Sequence, residues 1–279
     1  MSNYPAPLDQ LLQLGDPRGQ RQWLNYPDLG IGPEHIPDLI RMVLDEDLRW
    51  SDSESKEVWA NLHAWRALGQ LRAEAAIEPL VGILKWIDED QDDWVDGDVP
   101  EVLGLIGPAA LPALTLYVEN RGHGLYARAA AANGIAKIAA HHPEAREQSL
   151  AVLARQLLRP PRHEDEYELN GFIVGDLIDV EAVEVAPAIE RAFAAGRVEE
   201  YVQGDWEDVQ VALGLKAHRT APENYRPRTP FGQMLESLSL TAKRRTSSEV
   251  LAGHTEASKS PTGAAEPKRK RHRRKKKNP

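Results

Sequence analysis

The chain has no cysteine among its 279 residues. Disulfide staples, thiolate metal sites and a cysteine nucleophile are therefore excluded, and a cysteine-free acidic chain fits a reducing compartment. Long apolar runs are also missing. None approaches the roughly 20 residues a helix needs to cross a bilayer. Residues 1–14 lack the basic stretch and apolar core of a secretion signal, so the expected location is the cytoplasm. Aromatic residues make up only 6% of the chain, with seven Trp against three Phe. No phosphate loop, dinucleotide fingerprint or nucleophile elbow occurs. No catalytic residue, cofactor or metal ligand is therefore assigned. An acid and a base meeting only in space would leave no such motif.

Charge is divided along the chain. The net value is −9, but residues 241–279 hold thirteen Lys or Arg against three acids, a net of +10. Residues 1–240 then carry 21 bases and 40 acids, or −19. An acidic body with a basic tail is the main electrostatic feature.

A small residue flanked by large aliphatics recurs. It reads Ala67-Leu68-Gly69-Gln70-Leu71, Val102-Leu103-Gly104-Leu105-Ile106, Gly134-Ile135-Ala136-Lys137-Ile138 and Ile173-Val174-Gly175-Asp176-Leu177, with a weaker copy at Ala212-Leu213-Gly214-Leu215. The central residues stand 35, 32, 39 and 39 positions apart. Pro37, Pro112 and Pro187, each in an apolar–Pro–any–apolar context, follow at intervals of 75 and 75. Val58, Leu62, Trp65 and Leu68 fall on one helical stripe, and a second helix runs on Ile77, Leu80, Val81, Leu84 and Ile87. Gly69 lets a neighbouring backbone come close. The prolines suit the first turn of each second helix, where the missing N–H has no intrahelical partner. Two helices of roughly 12–16 residues cannot bury their own apolar faces, so each hairpin must lean on its neighbours.

Residues 128–138, Arg-Ala-Ala-Ala-Ala-Asn-Gly-Ile-Ala-Lys-Ile, resemble the first helix of the short HEAT-like repeats of bilin-lyase-type proteins. Ala67–Leu71 with Ile77-Glu78-Pro79-Leu80 resembles a whole hairpin of that kind. The likeness spans roughly residues 30–216 and implies an architecture, not an activity. The chain departs from the pattern in its turns, which mostly lack Asp-Pro, and in the acidic insertion from Asp88 to Asp98. The expected fold is all-α: an α-solenoid of about five HEAT-like helical hairpins with a disordered basic C-terminal tail. Residues 1–30 read as an N-terminal capping segment and 31–216 as the repeats. Residues 217–241 read as a proline-containing linker with a short capping helix on Phe231, Met234, Leu235 and Leu238. Residues 242–279 read as the tail.

Two features invite partners. Lys268, Arg269, Lys270, Arg271, Arg273, Arg274, Lys275, Lys276 and Lys277, with His272 among them, suit a polyanion such as RNA or DNA; no aromatics are interleaved to read bases. Seven carboxylates between Asp88 and Asp98 suggest calcium by type, but position six is Asp93 and position twelve Val99, where a calcium loop needs Gly and Glu. They read instead as an acidic loop leading into a helix at Val99. Trp59, His63, Trp86, Asp92, Asp93, Trp94 and Asp96 are the candidate contact residues for a protein partner, since Trp is enriched in binding hot spots. His63, Arg66 and Gln70 read as a solvated polar stripe, and the partner surface is expected along a concave face lined by the second helices or against the acidic loop. The expected function is a non-enzymatic interaction scaffold or adaptor. The alternatives are a nucleic-acid-associated protein anchored by its tail and an enzyme built on HEAT-like repeats.

Overall fold

Helices and 3-10 turns are the regular elements of the computed structural model, and no strand occurs among the described residues, which are 4–17, 22–223, 225, 227–230, 232–234 and 237. The chain divides into residues 1–237 and 238–279; the second unit lies outside the described residues. The helices are α1 (Leu11–Leu14), α2 (Ile36–Val43), α3 (Glu46–Arg49), α4 (Ala60–Gln70), α5 (Ile77–Ile83), α6 (Trp86–Asp90) and α7 (Asp93–Ile106). They continue with α8 (Leu111–Glu119), α9 (Leu125–His141), α10 (Arg146–Leu158), α11 (Asp165–Asp179), α12 (Ala186–Ala194), α13 (Glu200–Gln203) and α14 (Trp206–Ala212).

Pro37, Pro112 and Pro187 all stand in the first turn of a helix, in α2, α8 and α12. A 3-10 turn precedes each of these helices, and also α5 and α10. That tight entry turn left no clear sequence signal. The small residues of the repeated pattern sit where helices meet. A Cβ on Gly69 would lie 3.3 Å from the Val102 Cα, and one on Gly104 would lie 3.1 Å from the Lys137 carbonyl carbon. Gly171, outside the repeated pattern, plays the same part: a Cβ there would lie 3.2 Å from the Glu199 carbonyl oxygen. Accordingly α4 packs on α7, α7 on α9, α9 on α11 and α11 on α13. The alanine-rich α9 touches α7, α8, α10 and α11, and small side chains let four helices approach one.

Helix ends are closed by side chains and by unusual backbone. Asn61 donates from Nδ2 to the Met42 and Val43 carbonyls at 2.8 and 3.1 Å, meeting acceptors that α2 leaves open. Arg72 and Glu181 take left-handed φ values of 50° and 51° after α4 and α11. Each permits a Schellman bond, Ala73 N–H to Leu68 O and Ala182 N–H to Leu177 O. One buried carboxylate is held among arginines. Glu166, 2% exposed, accepts from Arg121 Nε and the Arg162 backbone N–H, each at 2.6 Å, and faces Arg128 at 3.4 Å.

Glu199 is fully buried just before α13. It accepts the Arg228 and Thr229 backbone N–H groups at 2.8 Å and the Thr229 hydroxyl at 2.9 Å. Residues 228–229 are thereby tied to the end of the helical body. Of the expected capping helix, Phe231, Leu235 and Leu238 lie outside the described residues, and Met234 is exposed.

Candidate functional site

The N-terminal segment changes the reading of α4. Tyr26 donates its O–H to His63 Nδ1 at 2.7 Å, and His63 Nε2 meets the Gly15 carbonyl at 2.8 Å. A carbonyl can only accept, so Nε2 carries the proton and Nδ1 receives the phenol. Gln70 donates to the Leu24 carbonyl at 2.7 Å and accepts from the Tyr26 N–H at 2.9 Å. The polar stripe of α4, expected to be solvated, is thus covered by Gly15, Trp23, Leu24 and Tyr26. His63 is 1% exposed, and burial holds its pKa below the usual histidine value. It is not available to a partner. Trp59 is likewise 8% exposed, its ring edge-on to Trp94 at 5.0 Å.

The acidic stretch is not a loop before Val99. It forms α6 and the first turns of α7, separated by Gln91 with φ 54° and Asp92. Asp92 accepts the Trp94 and Val95 N–H groups and starts α7. Asp90 and Asp92 pair with Arg49 at 3.0 and 3.1 Å, and the Arg49 guanidinium lies 3.8 Å from the centre of the partly buried Trp86 ring. Asp88 accepts the Ala127 N–H at 2.8 Å at the start of α9. Most of these carboxylates therefore hold the fold together; Asp93 and Asp96 remain on the surface. Among the described residues no group of three or more His, Asp or Glu is placed to hold a metal. The basic run from Lys268 to Lys277 lies outside the described residues.

A cavity of about 470 Å³ lies between α7 and α9. It is lined by Trp23, Gly97, Asp98, Glu101, Leu105, Asn133 and Lys137. This places it on the first helices, not on the second helices expected to form the partner surface. Polar ties cross the α4–α7, α7–α9 and α9–α11 junctions along this face. Arg66 donates to both Asp98 oxygens at 2.6 and 3.0 Å, and Trp65 Nε1 adds a bond at 3.2 Å. Glu101 joins Lys137 at 3.2 Å and His141 at 2.6 Å. Asn133 Nδ2 donates to Asp176 Oδ1 at 2.6 Å.

Asp176 is the perturbed group of this row. Burial pushes its pKa up to about 7, against the Asn133 hydrogen bond, which favours ionisation. Its Oδ2 is buried and makes no hydrogen bond among the described residues. The sequence signal for the site was weak. Arg66 and Asp98 are far apart in the chain, and Trp23 joins them only because the N-terminal segment folds back. The Arg66 guanidinium lies 4.7 Å from the Trp23 ring centre. Comparison with protein-family models, with curated proteins and with solved structures finds no match.

Proposed function

We propose that the protein is a non-enzymatic interaction scaffold, an α-solenoid of HEAT-like hairpins whose partner lies along the first helices. Hairpins that lean on one another in a line expose a long continuous face. The observation that carries the reading is the cavity between α7 and α9, which opens at the edge of the N-terminal strap. Its volume falls within the roughly 300–1,000 Å³ usual for ligand pockets. Its carboxylates are held by three donors at Asp98 and by the Lys137 and His141 side chains at Glu101. Groups fixed in this way suit recognition of shape and charge better than proton transfer.

The test compares two surface variants. Gly97 is exposed in α7, and a Cβ built there meets nothing within 4 Å, so Gly97→Leu fills the cavity mouth without crowding the fold. Leu116 on the second helix α8 is 70% exposed, so Leu116→Arg alters the opposite candidate surface. Proteins cross-linked to the wild-type chain in cell extract are quantified for both variants. Loss with Gly97→Leu and retention with Leu116→Arg supports the reading, and the reverse pattern refutes it.

A further inference from the structure

We infer that the socket at Glu199 is a peptide-recognition site for an Arg-Thr-Pro-x-Gly segment, and that residues 228–232 of the chain itself fill it in this structure. The site stands apart from the α7–α9 cavity, and its loss would leave the reading of that cavity intact. Its recognition group is a buried carboxylate. One Glu199 oxygen accepts two successive backbone N–H groups, of Arg228 and Thr229, at 2.8 Å, and the Thr229 hydroxyl at 2.9 Å. A carboxylate removed from water needs donors of this kind. The socket is built without help from the segment. The Glu199 backbone N–H donates to the Tyr167 carbonyl at 2.9 Å, and its other carboxylate oxygen accepts the Tyr201 N–H at 3.4 Å at the start of α13. Asn170 on α11 donates to the Arg197 carbonyl at 2.8 Å, which fixes the chain just before Glu199.

The segment meets the body at two positions. Thr229 and Gly232 are buried, whereas Arg228, Pro230 and Gln233 are exposed. The Thr229 hydroxyl donates to Glu199 and accepts the Gly232 N–H at 3.0 Å, and the Gln233 N–H reaches the Thr229 carbonyl at 3.0 Å. Threonine thus fills the socket and caps a turn, which Pro230 enters without wasting a donor. A Cβ on Gly232 would lie 2.5 Å from the Glu199 carboxyl carbon, and the bonds above keep that carboxylate from moving aside. Arg228 pairs with Glu200 at 3.6 Å, and a Cβ on Gly196 would lie 2.9 Å from its Nη1. Glu168, 8% exposed, lies within hydrogen-bond reach of the same hydroxyl, so an acidic residue in place of Thr229 is repelled twice. The hold is polar and short, and Ala221, Pro222 and Glu223, which lead toward it, are exposed. Contacts of this kind open at less cost than global unfolding, and a free segment of the same chemistry then takes the place of the tethered one.

Fluorescence anisotropy tests this on the full chain with a labelled peptide copying residues 225–234. A tethered segment acts at an effective concentration in the millimolar range, so the wild-type chain binds the peptide weakly. Thr229→Glu sets a third carboxylate against Glu168 and Glu199, and Gly232→Val crowds Glu199; each empties the socket. Both variants are expected to bind the peptide at least about tenfold more tightly than wild type, because the tethered competitor is gone. Adding Glu199→Gln to either weakens that binding on the order of tenfold, as for loss of charge-assisted hydrogen bonds. Amide exchange of the wild-type chain provides a second measurement, free of these variants. Millimolar peptide speeds exchange at Arg228 and Thr229, whose N–H groups lose Glu199 when the tethered segment is displaced. Sedimentation of the wild-type chain separates the sources of such a segment: self-association that depends on Glu199 assigns it to a second copy, and a monomer assigns it to another protein. No tightening in either emptied variant, tightening that survives Glu199→Gln, or amide exchange unchanged by the peptide would each overturn the inference.

Discussion

Two glycines seven positions apart on α7 provide a stringent test of how its neighbours are placed. Gly97 and Gly104 share a helix and both lack a positive φ, so replacing either by alanine improves helix propensity by about 1 kcal/mol. Their surroundings differ. A Cβ at position 97 meets nothing within 4 Å. A Cβ at position 104 lies 3.1 Å from the Lys137 carbonyl carbon and closer still to the Lys137 Cβ. Carbon atoms prefer roughly 3.5–4.0 Å, so α7 and α9 must separate. Overpacking of this kind costs about 1–3 kcal/mol. Gly97→Ala is expected to stabilise by about 1 kcal/mol, and Gly104→Ala to be neutral or destabilising by up to about 2 kcal/mol after the propensity gain. In a chain of this size 1 kcal/mol moves Tm by about 2–4 °C. Thermal and urea unfolding of both variants provide the measurement. Equal stabilisation by the two substitutions would show that α7 and α9 do not meet at Gly104, and the row of first helices would have to be redrawn.

Asp176 predicts a pH dependence. Its folded pKa, about 7, lies above the ordinary aspartate value, so the folded chain binds this proton more tightly than the unfolded one. Its effect on stability is therefore unfavourable as pH rises from about 4 to about 7 and constant above that. Asp176→Asn should raise Tm at pH 8 and flatten the Tm profile between these values; an unchanged profile counts against burial of this carboxyl. For Glu166, burial alone would raise the pKa, but the Arg121 and Arg162 bonds and the nearby Arg128 bring it below the ordinary range. Glu166→Gln should cost about 3 kcal/mol by removing the buried charge shared by Arg121 and Arg128, although Arg128 keeps Asp165 at 3.6 Å and the Val118 carbonyl at 2.9 Å, read as a lower urea midpoint. A loss under 1 kcal/mol would show that water reaches the pair. Glu181, in a left-handed conformation, carries about 1–2 kcal/mol of strain. Glu181→Gly should relieve most of it, with a Tm gain as the readout and a Tm loss as the contrary result.

Local features were legible. The small residues at 69 and 104 mark helix contacts because a missing Cβ is what close backbone approach requires, and Gly175 makes room for the Gln203 side chain. Prolines 37, 112 and 187 mark helix starts because the first turn has no use for their N–H. Trp59 and His63, candidate partner contacts by sequence, are buried, and burial of a polar or aromatic stripe depends on what lies over it. Trp94 covers the first, and Tyr26 with Gly15 covers the second. The acid-rich stretch from Asp88 to Asp98 was misread as a loop because its charge suggested solvation. Its carboxylates instead start two helices and hold Arg49 and Arg66.

The sequence by itself determined the all-helical character, the helix starts at three prolines and the opposition of an acidic body to a basic tail. These follow from spacing, capping chemistry and composition, which act over a few residues or add up over many. The tertiary structure alone decided which polar groups are spent inside the fold and where a cavity remains. Both depend on residues tens of positions apart meeting across helix junctions. Trp23 beside Asp98 and Lys137 is an arrangement that no local pattern encodes.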